Sequence, residues 1–227
     1  MSWDPVWDDV YRTRAWGQYP GEDVIRFVQR QYGAVADRSR VRLLEVGCGA
    51  GANLWFMARE GFVVHGIDRS PTAVQLAHER LDRECPGWRE RGGRIDAGDM
   101  AHVDVPDACM DAVLDVVAIC YADFDEASRA YAELARVTRP GGRLFARTFA
   151  TGCWGEGTGT SAGPRMWDCA EGPLAGLGAT RFTAEDEVPG LLGPGWRLDR
   201  IERATQTEGN RQHEIRYLQI HATRETA

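Results

Sequence analysis

The chain has 227 residues, 43% of them hydrophobic and 27% charged, with a formal net charge of −7. This length suits one α/β domain, and the apolar fraction suffices for a core and is too high for a disordered chain. The acidic balance argues against a broad face for long nucleic acid, and no apolar run approaches the roughly 20 residues of a membrane helix.

All 27 basic side chains are Arg, which excludes Schiff-base catalysis through lysine. Cys48, Cys85, Cys109, Cys120, Cys153 and Cys169 are scattered without a Cys-x-x-Cys pair and read as reduced thiols of a cytoplasmic protein. The five His are equally dispersed, so no metal site is expected. Asp4, Asp8 and Asp9 stand where a signal peptide needs a basic start and an apolar stretch, so none is expected.

Residues 3–33 read as a helical segment, with Val24, Ile25, Val28 and Tyr32 on one face and Gly33 as a stop. Its first part, with Trp3, Trp7, Trp16 and Tyr19, is aromatic and irregular. A buried strand follows over 41–46, then a Gly-rich turn and a helix over 53–60. A second strand over 62–67 ends in Asp68, and Ser70-Pro71 opens the next helix with a cap and a first-turn proline. Residues 94–97 and 111–119 read as strands three and four. A helix over 125–137, closed by Pro140-Gly141-Gly142, leads to a fifth strand over 143–149. This alternation means a parallel sheet with right-handed crossovers.

Residues 150–180 are rich in Gly, Trp and Thr without periodicity and read as a binding loop or lid. A short helix over 183–192 precedes strand-like stretches at 196–207 and 214–222. These lie too close for a crossover helix and read as an antiparallel hairpin. No second-domain boundary is visible, so 1–227 reads as one domain with segments 3–33 and 150–180 as lids.

Glu45-Val-Gly47-Cys-Gly49-Ala-Gly51 lies between a strand and a helix. Glycines let backbone approach a ligand closely, and the helix N-terminus offers unpaired N–H groups. Asp68, 21 residues after Gly47 at the next strand end, can accept both hydroxyls of a ribose. Asp99 ends the third strand, where it can accept from an adenine amino group. Gly47-x-Gly49-x-x-Ala52 also fits a dinucleotide fingerprint, which keeps an NAD-linked oxidoreductase open. Glu45 tilts against it, because a carboxylate there would repel pyrophosphate and attract an ammonium.

At these residues the chain resembles the class I S-adenosylmethionine-dependent methyltransferases over about residues 22–222. Leu43–Gly51 is similar to the family's first motif, Gly66-Ile-Asp68 to its ribose motif, and Asp96–Met100 to its adenine-contact motif. Leu134–Leu144 is similar to the stretch leading into strand five. The resemblance implies a Rossmann-like α/β fold, a seven-stranded, mostly parallel sheet with helices on both faces and a C-terminal antiparallel hairpin. It implies S-adenosyl-L-methionine as cofactor and S-adenosyl-L-homocysteine as product. Glu45, Gly47, Cys48, Gly49 and Gly51 would hold the amino acid end, with Cys48 as a departure from the pattern. Asp68 would hold the ribose, Asp99 and Met100 would flank adenine, and Asp115 matches a position near the reacting methyl. Trp16, Asn53, Arg69 and Ser70 complete the expected cofactor set.

Alignment of an acceptor and exclusion of water are the remaining tasks of such a site. Asp115, Tyr121 and His213 are the candidate catalytic groups, each with a structural alternative: a strand-end cap, a packing aromatic and a turn histidine. Arg147 can pair with an anionic acceptor or serve structure alone. Trp16 and Trp154 fit lid roles, and Trp55 fits packing. The expected function is methylation of an oxygen or nitrogen of a small molecule, such as a secondary metabolite or sugar, without a membrane or long nucleic acid as partner. The alternative of another class is a cofactor-binding regulatory or scaffold protein without turnover.

Overall fold

The computed structural model describes residues 5–226, so Trp3 and Asp4 lie outside the described residues. The chain folds around a seven-stranded sheet of order β3-β2-β1-β4-β5-β10-β9. The parallel part comprises β1 (Arg42–Val46), β2 (Val63–Asp68), β3 (Arg94–Ala97), β4 (Met110–Val116) and β5 (Thr138–Phe149). The last two strands, β9 (Trp196–Glu208) and β10 (His213–Arg224), form an antiparallel hairpin, and β10 runs antiparallel to β5. The expected parallel sheet and terminal hairpin are both present.

Helices cover both faces because the strands are apolar on both. On one face lie α2 (Glu22–Tyr32), α3 (Ala52–Arg59) and α4 (Pro71–Glu84), which bury Phe27, Leu54, Met57 and Leu81 against Leu43, Leu114 and Phe145. On the other, α5 (Phe124–Val137) and α6 (Val188–Leu192) bury Tyr131, Leu134 and Leu191 against Leu44, Val113 and Leu144. Each such side chain contributes about 1.5–3 kcal/mol when fully buried. Capping fixes the helix starts: Ser70 Oγ accepts from Ala73 N–H, and Asp123 accepts from Glu126 N–H.

Four expectations need correction. The segment over 3–33 is two helices, α1 (Val6–Thr13) and α2, parted by an irregular stretch. On α2 the buried positions are Val24, Phe27, Val28 and Tyr32, while Ile25 turns half outward. Pro140-Gly141-Gly142 does not separate helix from strand: β5 starts at Thr138 and carries these residues as a bulge, with the register against β4 shifting between Met110 and Ala112. Finally, 150–180 is not structureless. It contributes β6 (Thr160–Gly163) and β7 (Met166–Asp168), and β7 pairs with both β6 and β8 (Ala179–Arg181) in a second, antiparallel sheet. These strands are too short to show a period.

Candidate functional site

A cavity of about 730 Å³ opens at the carboxyl ends of β1, β2, β4 and β5. Its size falls within the roughly 300–1,000 Å³ that encloses a whole small molecule. It sits where β1 has β2 on one side and β4 on the other, the switch point at which open α/β sheets bind ligands.

The glycine loop forms the floor. Gly47 and Gly49 have φ of +61° and +52°, and a Cβ on Gly47 would collide with Ala118 while one on Gly49 would collide with the Tyr11 hydroxyl. Gly51, with φ +77°, starts α3 and does not line the cavity; a Cβ there would meet Ala77 of α4 at 3.0 Å. Its smallness serves helix packing.

Two carboxylates flank the loop. Asp68 Oδ2 accepts from Gly49 N–H at 2.8 Å and Oδ1 from Ser70 N–H at 2.9 Å, and burial pushes its pKa up. Glu45 is only 2% exposed. Its Oε1 accepts from Asn53 Nδ2 at 2.5 Å, while Oε2 is buried with no partner among the described residues. Burial raises its pKa to about 8, against the opposing pull of the Asn53 hydrogen bond.

Helix α1 closes the cavity from above. Asp8 Oδ1 accepts from Ser70 Oγ at 2.6 Å and from Thr72 N–H at 3.1 Å. These bonds, the Ser70 one foremost, hold the Asp8 carboxyl down at about 2. Docked in this way, α1 brings Val6, Trp7 and Tyr11 to the cavity wall. Burial, with Asp68 nearby, pushes the Tyr11 hydroxyl pKa up. Trp7 meets Tyr121 edge-on at 5.1 Å and Trp16 at 5.7 Å.

The far wall combines Tyr121, Phe149 and Tyr217 with Met166, Leu174 and Leu177 from the second sheet and its connection. Val117, just past β4, also lines it with φ +60°, a conformation costly for a β-branched residue. Its N–H donates to Arg147 O at 2.8 Å.

The structure brings most of the expected cofactor residues to one cavity: Trp16, Glu45, Gly47, Cys48, Gly49, Asn53, Asp68, Arg69, Ser70 and Met100 all line it. Asp99 does not; half-exposed, it accepts from Arg69 Nη2 at 2.5 Å and from Ala101 N–H at 2.9 Å. Of the three catalytic candidates only Tyr121 reaches the cavity. Asp115 is fully buried behind it, with Oδ1 accepting from Ala118 and Ile119 N–H at 3.0 Å and Oδ2 from Tyr131 Oη at 2.7 Å. His213 stacks on Trp154 at 3.9 Å, away from the lining. Trp154 likewise does not line the cavity, and Trp55 is half-buried between the guanidinium groups of Arg59 and Arg80.

Asp8 and Tyr11 were missed as site residues. The available signal was the spacing of Trp7 and Tyr11, four apart on one helical face. Among the described residues no group of three or more His, Cys, Asp or Glu is placed to hold a metal ion, and no helix is long and apolar enough to cross a membrane.

Residues 44–146 match the methyltransferase-domain family. The demethylmenaquinone methyltransferase of Tropheryma whipplei (strain Twist) is 35% identical over 108 residues, which cover 48% of this chain and 41% of that protein. The chain thus spans less than half the length of that relative. A SAM-dependent methyltransferase of Methanosarcina mazei has a similar structure, with a TM-score of 0.70, 18% identity and coverage of 92% of this chain and 100% of that one. The Burkholderia thailandensis 1,6-didemethyltoxoflavin-N1-methyltransferase, solved with 1,6-didemethyltoxoflavin and S-adenosylhomocysteine, gives a TM-score of 0.65, 19% identity and coverage of 90% and 78%. The glycine loop, the seven-stranded order and these likenesses converge: residues 44–146 match the methyltransferase-domain family, and the fold is that of solved SAM-dependent methyltransferases, consistent with the class I S-adenosylmethionine-dependent family.

Proposed function

We propose that this chain moves a methyl group from S-adenosylmethionine to an oxygen or nitrogen of a small molecule. The observation that carries the reading is the unpartnered Oε2 of Glu45, buried beside a glycine loop with two left-handed glycines. A buried carboxylate oxygen without a donor is costly, and the ammonium of an amino acid is the donor it lacks. The residues present therefore fit the cofactor.

In this reading Glu45 and Asn53 hold the amino acid end and Asp68 accepts from the ribose. Met100 would pack against the adenine, while Asp99, outside the cavity lining, is held by Arg69. The cofactor, when bound, supplies a methyl group already activated by its sulfonium. What remains for the chain is to align the acceptor and exclude water. Trp7, Tyr11 and Trp16 close one side, and the second sheet closes the other. Burial pushes the Tyr121 hydroxyl well above its ordinary pKa, so it stays a neutral phenol and orients the acceptor by hydrogen bonding. An amine that arrives neutral, or a hydroxyl that ionises readily, needs nothing more.

The acidic net charge and the aromatic wall support a small-molecule acceptor over a nucleic acid. The neighbour that holds 1,6-didemethyltoxoflavin adds a small-molecule precedent on the same fold. Calorimetric titration with S-adenosylmethionine, with Asp68→Ala alongside, tests the cofactor half. Micromolar binding that the variant loses supports it, and no binding by the wild type overturns it. Incubation of labelled cofactor with a metabolite extract, read by mass spectrometry, tests the acceptor half; label found only on protein or RNA defeats it.

A further inference from the structure

We propose that β9 is the interface of a symmetric homodimer, in which two copies of this chain join edge to edge about Ile201. The proposal stands apart from the methyl-transfer reading, since no residue of β9 lines the cavity.

β9 (Trp196–Glu208) is the last strand of the seven-stranded sheet, and among the described residues it pairs with β10 alone. It runs for 13 residues, whereas sheet edges are usually kept short or covered. The direction of its free backbone groups follows from β10. Arg216 O accepts from Ala150 N–H at 2.9 Å, on the side of β5. Thr205 stands opposite Arg216, so its own N–H and C=O point away from β10. The register is unbroken from Arg216 to His221, and by alternation the backbone groups of Arg203 and Ile201 point outward too. They form a row of donors and acceptors that no strand of this chain uses.

Charges on an edge usually keep other strands away. Here their signs suit a second copy of the same edge: Arg197, Asp199, Arg200, Glu202 and Arg203 follow one another. Antiparallel pairing about a two-fold axis sets one residue opposite its own copy. With Ile201 on the axis, Arg200 meets Glu202 of the second copy and Asp199 meets Arg203, each twice by symmetry. An axis at Arg200, Glu202 or Arg203 would set like charges against each other, which destabilises a strand pair. Arg200 and Glu202 would fall at pairs without direct backbone bonds, where facing side chains approach most closely.

These side chains are free to exchange partners. Those of Arg200 and Glu202 are 42% and 48% exposed, and their ion pair within the strand is 3.3 Å long. His221 of β10 stands behind both, 3.2 Å from Arg200 Nη2 and 3.3 Å from Glu202, and keeps them on one face. On the other face Leu198 and Ile201 are partly buried against the core under α5 and α6, and the two Ile201 side chains would carry that core across the axis. Asp199 is held by Arg197 and Arg203 by Glu185, so the Arg200–Glu202 pairs carry most of the charge preference. The register against β10 shifts at Asp199, a bulge that ends the outer ladder and keeps the interface small. A small interface makes a dimer that forms with rising concentration.

Sedimentation velocity from micromolar to near-millimolar concentration tests this, with wild type, Arg200→Glu, Glu202→Arg and the double variant, each checked for folding by circular dichroism. Wild type should move from the mass of one chain towards twice that mass. Each single variant sets like charges at both pairs and should weaken association by about tenfold or more, and the double variant should restore it. An equimolar mixture of the two single variants should also dimerise, because each supplies the charges that the other lacks. Wild type that stays monomeric throughout overturns the proposal. So does a dimer that the single variants leave intact, or one that neither the double variant nor the mixture restores. Sedimentation reads association whether or not the chain binds S-adenosylmethionine, so failure of either reading leaves the other standing.

Discussion

Asp8 and Ser70 are joined side chain to side chain at 2.6 Å, across 62 residues of chain. Ser70 is also the N-cap of α4, and its backbone N–H donates to Asp68. One residue therefore ties the overlying helix α1 to the carboxylate read as the ribose acceptor. The placement of α1 and the shape of the cavity floor are mechanically linked.

Asp8→Ala is expected to free α1 while leaving the sheet intact. Loss of two hydrogen bonds to a charged group costs about 1.5–3 kcal/mol each, and the cost falls on the docking of a short helix. Cleavage by a protease within residues 5–20 should rise, and cofactor affinity should fall about tenfold, as roughly 1.4 kcal/mol of that cost implies. The melting temperature should change little. The Asp8 pKa is lowered to about 2 in the fold from an ordinary 3.8. Its contribution is fully present above pH 3.8 and is lost as the pH falls through 2. Limited proteolysis across that window reads the loss, and equal cleavage of the variant and wild type at neutral pH would refute the latch.

Glu45 has the opposite sign. Its pKa is raised from 4.5 to about 8 by burial. The folded chain without cofactor holds that proton more tightly than the unfolded chain, so this term stabilises below pH 4.5 and is lost as the pH rises through 8. Glu45→Gln keeps an acceptor for Asn53 and removes the titration. It should match or exceed the wild-type melting temperature at pH 8 and lose cofactor binding. Because only the carboxylate attracts an ammonium, wild-type affinity should climb between pH 6 and 8 with proton release. Calorimetry in two buffers of different ionisation enthalpy counts the proton.

The first two parallel strands were legible because each carries an apolar run ending in a glycine or a carboxylate: Arg42–Val46 into Gly47, and Val63–Asp68. The glycine loop was legible because left-handed backbone needs glycine there. The second sheet was not, since its strands span only three or four residues and take their order from tertiary contacts with Phe149 and Ile215. Asp115 was legible as a buried carboxylate but not by direction. Position in sequence cannot distinguish a side chain aimed at the cavity from one turned back onto Ala118, Ile119 and Tyr131.

That orientation separates two variants at Asp115. Asp115→Ala leaves three buried donors without an acceptor, and should destabilise the fold by about 3 kcal/mol or more. Asp115→Asn keeps an oxygen for the two backbone N–H groups and can pair its amide with Tyr131. Chemical denaturation should place it within about 1.5 kcal/mol of wild type, with cofactor affinity retained. A well-folded Asp115→Ala protein with normal affinity but no transfer would instead bring Asp115 back to the reacting methyl.

Val117 supplies the last test. A left-handed conformation costs a non-glycine residue roughly 1–2 kcal/mol, yet Val117 holds φ +60° at the cavity wall directly after β4. The strain is sustained by its N–H bond to Arg147 O and by the Asp115-capped turn that follows. Val117→Gly removes that strain and, because the side chain is only partly buried, little packing. Stability should stay within about 1 kcal/mol of wild type. The missing isopropyl group opens the cavity wall that the proposed acceptor would meet, so acceptor affinity should drop while cofactor affinity holds. Val117→Ala, which keeps the strain and loses the wall, should be the less stable of the two. If Val117→Ala proves the more stable, the strained backbone contributes nothing, and the wall owes its shape to packing alone.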